Sequence, residues 1–187
     1  NMQIGCRAKD SGVRDTELFN GEIYDVRVYN SSLSSADVAS ISSGDSVTSD
    51  PIFHTPFAEG EGTVAYDVSG NDNHGTITNA TLASFWSTQD SYHYNIAEGF
   101  SKYMYFNGTD DYVEVGGMTA STDYFGACTV TAKVIVEDPS ATRVVTSLGL
   151  SCYRIYTTGG NWTLNNGTNT GVTVTSGYHE LSVTFDS

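Results

Sequence analysis

Three features of the sequence predict an all-β fold, an antiparallel β-sandwich carrying one short helix. Nineteen glycines accompany abundant Ser, Thr and Asn, the composition of many short strands joined by tight turns. Alternating runs recur along the chain, as in CTVTAKVIV (128–136), where Val130, Ala132, Val134 and Val136 fall on one face. A single stretch has a helical pattern, and no strand–helix–strand repeat occurs, which excludes an α/β sheet. Twelve tyrosines, eight phenylalanines and two tryptophans supply a core for 187 residues. That length fits one large β domain or parts of two.

Taken in order, GEIYDVRVYN (21–30) is a β-rich run that strand alternation reads with Tyr24, Val26 and Val28 on one face. The helix follows in SSLSSADVASISSGD. Ser34 can cap it, and Asp37 can reach back to the cap's amide. Leu33 and Val38 can form a hydrophobic staple, and Gly44 ends the helix. Such a short helix is expected on an outer edge of the fold. Residues 47–51, small and polar up to Pro51, read as a linker. Beyond it the strand candidates are 52–57, 75–78, 102–106, 112–115, 127–136, 143–149, 152–157, 162–164, 171–175 and 178–185. In the last of these Leu181, Val183 and Phe185 share a face. Asn107-Gly108, Gly159-Gly160 and Asn166-Gly167 mark turns between strands.

Eight Lys+Arg stand against 22 Asp+Glu, a formal charge of −14. Nucleic acid is excluded as a partner, because its binding rests on phosphate neutralisation by Lys and Arg. An acidic surface can instead collect cations such as calcium, and suits a saline setting. No apolar run approaches the length of a membrane span, so membrane insertion is not expected. Cys6, Cys128 and Cys152 lie in strand-like runs without metal-ligand spacing. They read as buried small hydrophobes, with one disulfide and a leftover thiol as the alternative. Asn-X-Ser/Thr sequons begin at Asn30, Asn79, Asn107, Asn161 and Asn166.

Several motifs carry a family resemblance. FAEGEGTVAYDVSGNDNHGTI (57–77) resembles the opening of a laminin-G-like, concanavalin A-type jelly-roll domain, with its Asp-x-Ser-Gly-Asn-x-x-His-Gly signature. YMYFNGTDDYVEV (103–115) is similar to that family's next hairpin, CTVTAKVIVED (128–138) to its first long core strand, and GYHELSVTFDS (177–187) to a later one. At the other end, residues 1–46 are similar to the family's last two strands and closing helix, while 52–187 match its beginning and middle. The order is thus rotated, and one hairpin is expected between Ser187 and Asn1. A fragment of a tandem array, cut out of phase with its repeat, accounts for this. On that reading residues 1–46 pair with a neighbouring copy. A permuted single domain is the alternative, and it requires Val26 and Val28 to share a core with Val130 and Val183 of the same chain.

In related domains a calcium ion often sits beside the Gly/Asn/Asp-rich motif. The resemblance therefore implies Asp67 as a carboxylate ligand, Asn71 as a second ligand, and an acidic residue from the Gly-x-Ile strand as a third. The family usually places Asp directly after Ile23. This chain has Tyr24 there and Asp25 one residue later, a position that strand alternation turns to the opposite face. The competing reading has Asp67 and Asn71 forming Asx turns that bond the loop's own amides. His74 reads as a hydrogen-bonder within the loop, and His179 as a residue that orients the start of a strand.

The superfamily includes glycanases, which need two closely placed carboxylates. No Glu-x-Asp-x-x-Glu strand occurs here, nor a nucleophile elbow or phosphate loop, so a non-enzymatic protein is expected. Two function classes remain. One is a glycan-recognition or adhesion module on an extracellular or virion surface, with Trp162 and Tyr156 as sugar-stacking candidates. Its partners would be a glycan or cell-surface ligand and neighbouring copies of the chain. The other is a purely structural repeat of a filament, coat or fibre without a sugar ligand.

Overall fold

Two antiparallel sheets pack face to face, built from the alternating runs that the sequence marks. The structure, a computed structural model, describes residues 1–7, 17–45, 47–78, 86–88, 102–116, 118, 127–148, 153–164 and 168–185. In chain order the elements are β1 (Met2–Ile4), β2 (Asn20–Tyr29), α1 (Ser35–Ser42), β3 (Phe53–Thr55), β4 (Val64–Ala65), β5 (Gly75–Thr78), β6 (Trp86–Thr88) and β7 (Lys102–Asn107). They continue with β8 (Tyr112–Val115), β9 (Cys128–Val136), β10 (Arg143–Leu148), β11 (Tyr153–Thr158), β12 (Asn161–Leu164), β13 (Thr168–Thr173) and β14 (Gly177–Phe185). One sheet runs β13-β12-β11-β10-β1-β8-β5-β4, and the other β14-β9-β2-β7-β6 with β3 also on β2. Cys152 and the sequon residues Asn79 and Asn166 lie outside the described residues.

The core between the sheets holds the side chains that the period-2 pattern selects. Val130, Ala132, Val134 and Val136 of β9 are buried in it, Phe185 joins them from β14, and Leu181 and Val183 pack against it. Met2 and Ile4 enter from β1, and Val113 and Val115 from β8. Burial of apolar surface at about 25 cal/mol per Å² makes this layer the main source of stability.

β2 is where the pairing with a neighbouring copy is corrected. Its edge toward β9 runs from Gly21↔Val136 to Tyr29↔Thr129 within the same chain. Val26, Val28 and Val130 share one core, and Val183 packs against it. Among the described residues, β1 and β2 therefore close a single sandwich with the strands that follow α1: β1 lies between β10 and β8, and β2 between β9 and β7. Residues 47–51 join α1 to β3, and β3 returns antiparallel to β2 through Val26↔Thr55 and Val28↔Phe53.

A second correction concerns Tyr24. The register of β2 on β9 shifts between Ile23 and Asp25, so two residues of β2 occupy the space of one, as in a β-bulge. Ile23, Val26 and Val28 point into the main core, whereas Tyr24 joins a separate cluster with Tyr103 and Ile135. The other edge of β2 is divided at the same place, with β7 pairing Asn20–Ile23 and β3 pairing Val26–Val28.

Helix α1 follows its sequence signals closely. The Ser34 side chain accepts the Asp37 amide, and the Asp37 carboxylate accepts the Ser34 amide, closing a capping box. Leu33, Ile41 and Tyr29 are buried together, with Val38 and Val47 packed against them. Gly44 lies just past the helix with φ 80° and donates to Ile41 O. Leu33 N donates to Thr129 Oγ1, which docks the start of the helix on the outer face of β9. Cys6 and Cys128 are both buried, with the Cys6 thiol donating to Gln3 Oε1, and burial pushes the Cys128 thiol up to about 11.

Candidate functional site

The Gly/Asn/Asp-rich stretch forms a closed loop between β4 and β5, organised around Asp67. Asp67 Oδ1 accepts from the backbone amides of His54 at 3.0 Å and Ser69 at 2.9 Å, and Oδ2 accepts from the Asn73 amide at 3.0 Å. Burial works against the charge, but bonds from the Ser69 side chain and from the His54, Ser69 and Asn73 amides outweigh it. The carboxyl lies below its ordinary range. One carbonyl takes three side-chain donors of the loop: Ile52 O accepts from Ser69 Oγ, Asn71 Nδ2 and Asn73 Nδ2. Asp72 holds φ 56° and Gly70 φ 91°, left-handed conformations that Asn, Asp and Gly reach most easily.

His74 closes the loop from the far side, where its Nδ1 accepts the Asp67 amide at 3.1 Å and its ring meets Tyr66 edge-on. The glycine that follows is required by packing, because a Cβ on Gly75 would stand 2.4 Å from Val113 Cγ1. The motif is thus a clasp that fastens the β4–β5 connection to the residues around β3.

Asp25, expected as the third metal ligand, bonds basic side chains, whereas Asp67 bonds backbone amides. Asp25 is 2% exposed and held by two basic side chains: Arg27 Nε donates to Oδ1 at 2.9 Å, and His54 Nε2 bonds Oδ2 at 2.8 Å. His54 therefore links the two carboxylates, with its backbone amide on Asp67 and its ring on Asp25. Asp25 is turned away from the core, as strand alternation predicts. The bulge at Tyr24 and the place of His54 opposite Arg27 in the β2–β3 pairing are not expressed in that alternation. These residues do not fit calcium, since the Asp67 oxygens are aimed at amides and Asn71 presents a donor to the loop. No group of three or more His, Cys, Asp or Glu suited to a metal ion occurs among the described residues.

The two candidate sugar-stacking aromatics are each 6% exposed. Trp162 lies in the main core with its indole edge-on to His179 at 5.3 Å, and His179 Nε2 donates to Thr175 O. Tyr156 carries the Arg154 guanidinium over its ring at 4.6 Å. Neither ring offers a free face to a sugar. Tyr153 packs edge-on against Phe185, a core role.

A polar aromatic cluster on the outer face of the six-stranded sheet has no counterpart among the sequence expectations. Tyr24 Oη donates to Glu22 at 2.5 Å, and its ring packs near Tyr103 and Tyr178. Burial, with the Glu22 carboxylate beside it, holds the Tyr24 phenol above its ordinary range. The signal that could have located the cluster is the departure from Gly-x-Ile-Asp at Tyr24. Comparison with protein-family models, curated proteins and solved structures finds no match to this chain.

Proposed function

We propose that the chain is a non-catalytic structural module of an extracellular or virion surface assembly. The observation that carries this reading is the engagement of its most conspicuous polar motif inside the fold. Asp67 spends both carboxylate oxygens on backbone amides, and Trp162 and Tyr156 are packed away. Side chains that resemble ligand-binding ones serve instead to fix a loop and fill a core. The likeness of the motifs to laminin-G-like domains supports placement outside the cell, and the charge of −14 favours solubility in saline surroundings.

A glycan-recognition module is the second reading, and one observation favours it. All six residues of β13, Thr168–Thr173, are exposed; Thr170 Oγ1 and Asn169 Oδ1 bond within the chain, and the Thr168 hydroxyl and Asn169 Nδ2 are the groups offered to sugar hydroxyls. A glycan array probed with the labelled protein separates the two. A structural module gives no signal above background. Saturable binding of an oligosaccharide, lost when Thr168 and Asn169 are replaced by Ala, would establish the recognition reading in its place.

A further inference from the structure

The two sheets end differently on their two sides. On one side the outermost strands are β4 and β6, of two and three residues, short edges of the kind by which proteins avoid pairing with another chain. On the other side they are β13 and β14, of six and nine residues, with no Lys, Arg or Pro in either. β14 pairs with β9 from Gly177↔Val136 to Phe185↔Cys128 without a register shift. Its second edge meets no strand among the described residues. Leu181 and Val183 pack against the core yet are only half-buried, although every residue of β9 beside them is buried.

The layers on that side are also stepped. Tyr153 of β11 meets Phe185 of β14, and Trp162 of β12 meets His179, so β14 lies beneath β11 and β12. β13, the next strand beyond β12, projects past β14 with no strand beneath it among the described residues. All six of its residues are exposed. A step one strand wide is left, with the open edge of β14 as its wall and the inner side of β13 as its roof. Residues 174–176 join the two strands at one end of the sandwich, so β13 and β14 run in opposite directions.

We propose that a second copy of this chain fills the step, in a two-fold dimer where β13 of each copy pairs antiparallel with β14 of the other. A copy turned over about an axis along the strands places its own projecting β13 beneath the first, and receives that β13 in its own step. Such a rotation preserves strand direction, so each β13 meets the opposite β14 antiparallel, and the interface is self-complementary and closed. Pairing of β14 with β14 is excluded, because the projecting β13 strands would collide. Charge permits the lapped joint despite the −14 of the chain. Glu180 is the one acidic residue of the two strands, and Lys133, Tyr178 and Ser42 hold it. Six and nine strand residues per copy fall below the roughly 20–30 a side of a standard interface, so the association is micromolar rather than permanent. The joint gives the proposed structural module a partner and rests on that reading only for its purpose. A monomer in solution would sink the joint and leave that reading standing, whereas glycan binding by a dimer would do the reverse.

Sedimentation equilibrium of the full chain, from low to high micromolar concentration, should fit a closed monomer–dimer equilibrium. Amide exchange should slow with concentration in β13 and in Leu181 to Thr184 of β14, with β4 and β6 unchanged. Val172 is 58% exposed, so Val172→Lys keeps the fold, and a lysine on the pairing strand should weaken the dimer about tenfold or more. Thr168→Lys, also at an exposed position of β13, is the second variant. Val68→Lys, in the β4–β5 loop and 56% exposed, should leave the association unchanged. A monomer at every concentration, open-ended association, protection of β14 without β13, or a dimer indifferent to both β13 lysines would each overturn the joint.

Discussion

The Asp67 carboxylate accepts the backbone amide of His54 at 3.0 Å, so the β4–β5 loop is tied to β3 by a charged hydrogen bond across thirteen residues of sequence. Two more amides complete the set. Asp67→Asn leaves one acceptor oxygen and turns an NH₂ group toward amides that need an acceptor. A loss of about 1–3 kcal/mol is expected in denaturant unfolding, the cost of unsatisfied buried donors, with faster amide exchange at Ser69 and Asn73. Wild-type exchange rates at both positions would refute the clasp.

The same carboxylate sets an acid limit. Its folded value lies below the ordinary one, so the folded state favours the ionised form. The contribution is present above the ordinary aspartate value, about 3.9, and is lost as pH falls through the lower folded value. The stability difference between wild type and Asp67→Asn should therefore be constant near neutrality and shrink below about pH 4. A difference that grows on acidification would mean that burial, rather than the hydrogen bonds, governs the group.

Calcium should leave the melting temperature unchanged. An ion bound only by the folded state would raise it by mass action, stabilising the fold by about 2.7 kcal/mol at a hundredfold excess over Kd. The carboxylate oxygens that would hold the ion are already committed, those of Asp67 to amides and those of Asp25 to Arg27 and His54. Thermal melts in chelator and in millimolar calcium are expected to superimpose, and a calcium-dependent rise would show that the loop rearranges to admit an ion.

Gly21 sits at φ 142° in the centre of the six-stranded sheet, and a Cβ there would lie 2.0 Å from Ile135 O. Both the backbone conformation and the space exclude a side chain. Gly21→Ala should cost about 3 kcal/mol or more, because the atom that must yield belongs to the β2–β9 backbone. A variant that melts within a few degrees of wild type would contradict the register.

How much of this was legible beforehand differs by level. Long alternating strands and the capped helix were readable, because Val130 to Val136 and the Ser34–Asp37 pair express local periods and local hydrogen bonds. β4 and β6, two and three residues long, are too short to show alternation. The bulge at Tyr24 left no local trace, since nothing in GEIYDVRVY states that Ile23 and Val26, rather than Tyr24 and Val26, share a face. The Asp67 motif was visible as a loop, and its Asx-turn alternative describes Asp67, which accepts the Ser69 amide, but not Asn71, whose Nδ2 donates to Ile52 O and Ser69 Oγ. The choice depended on His54 and Ile52, partners more than a dozen residues away in sequence. Closure within one chain was likewise invisible, because pairing of β2 with β9 is non-local.

Trp162 gives the last test, since it separates a packing role from a binding one. Its indole is buried against the core and meets His179 edge-on, and the other tryptophan, Trp86, is also buried, with its indole Nε1 donating to Gly62 O at 2.9 Å. Fluorescence should come from two shielded indoles, weakly quenched by acrylamide and indifferent to added oligosaccharides. Trp162→Ala should cost about 3–5 kcal/mol, the usual range for emptying a large core site, while Trp162→Phe, which keeps most of the volume, should cost less. Strong quenching of the Trp162 emission, isolated in a Trp86→Phe background, together with a Trp162→Ala variant of near wild-type stability, would place the ring at the surface and return it to the sugar-binding candidates.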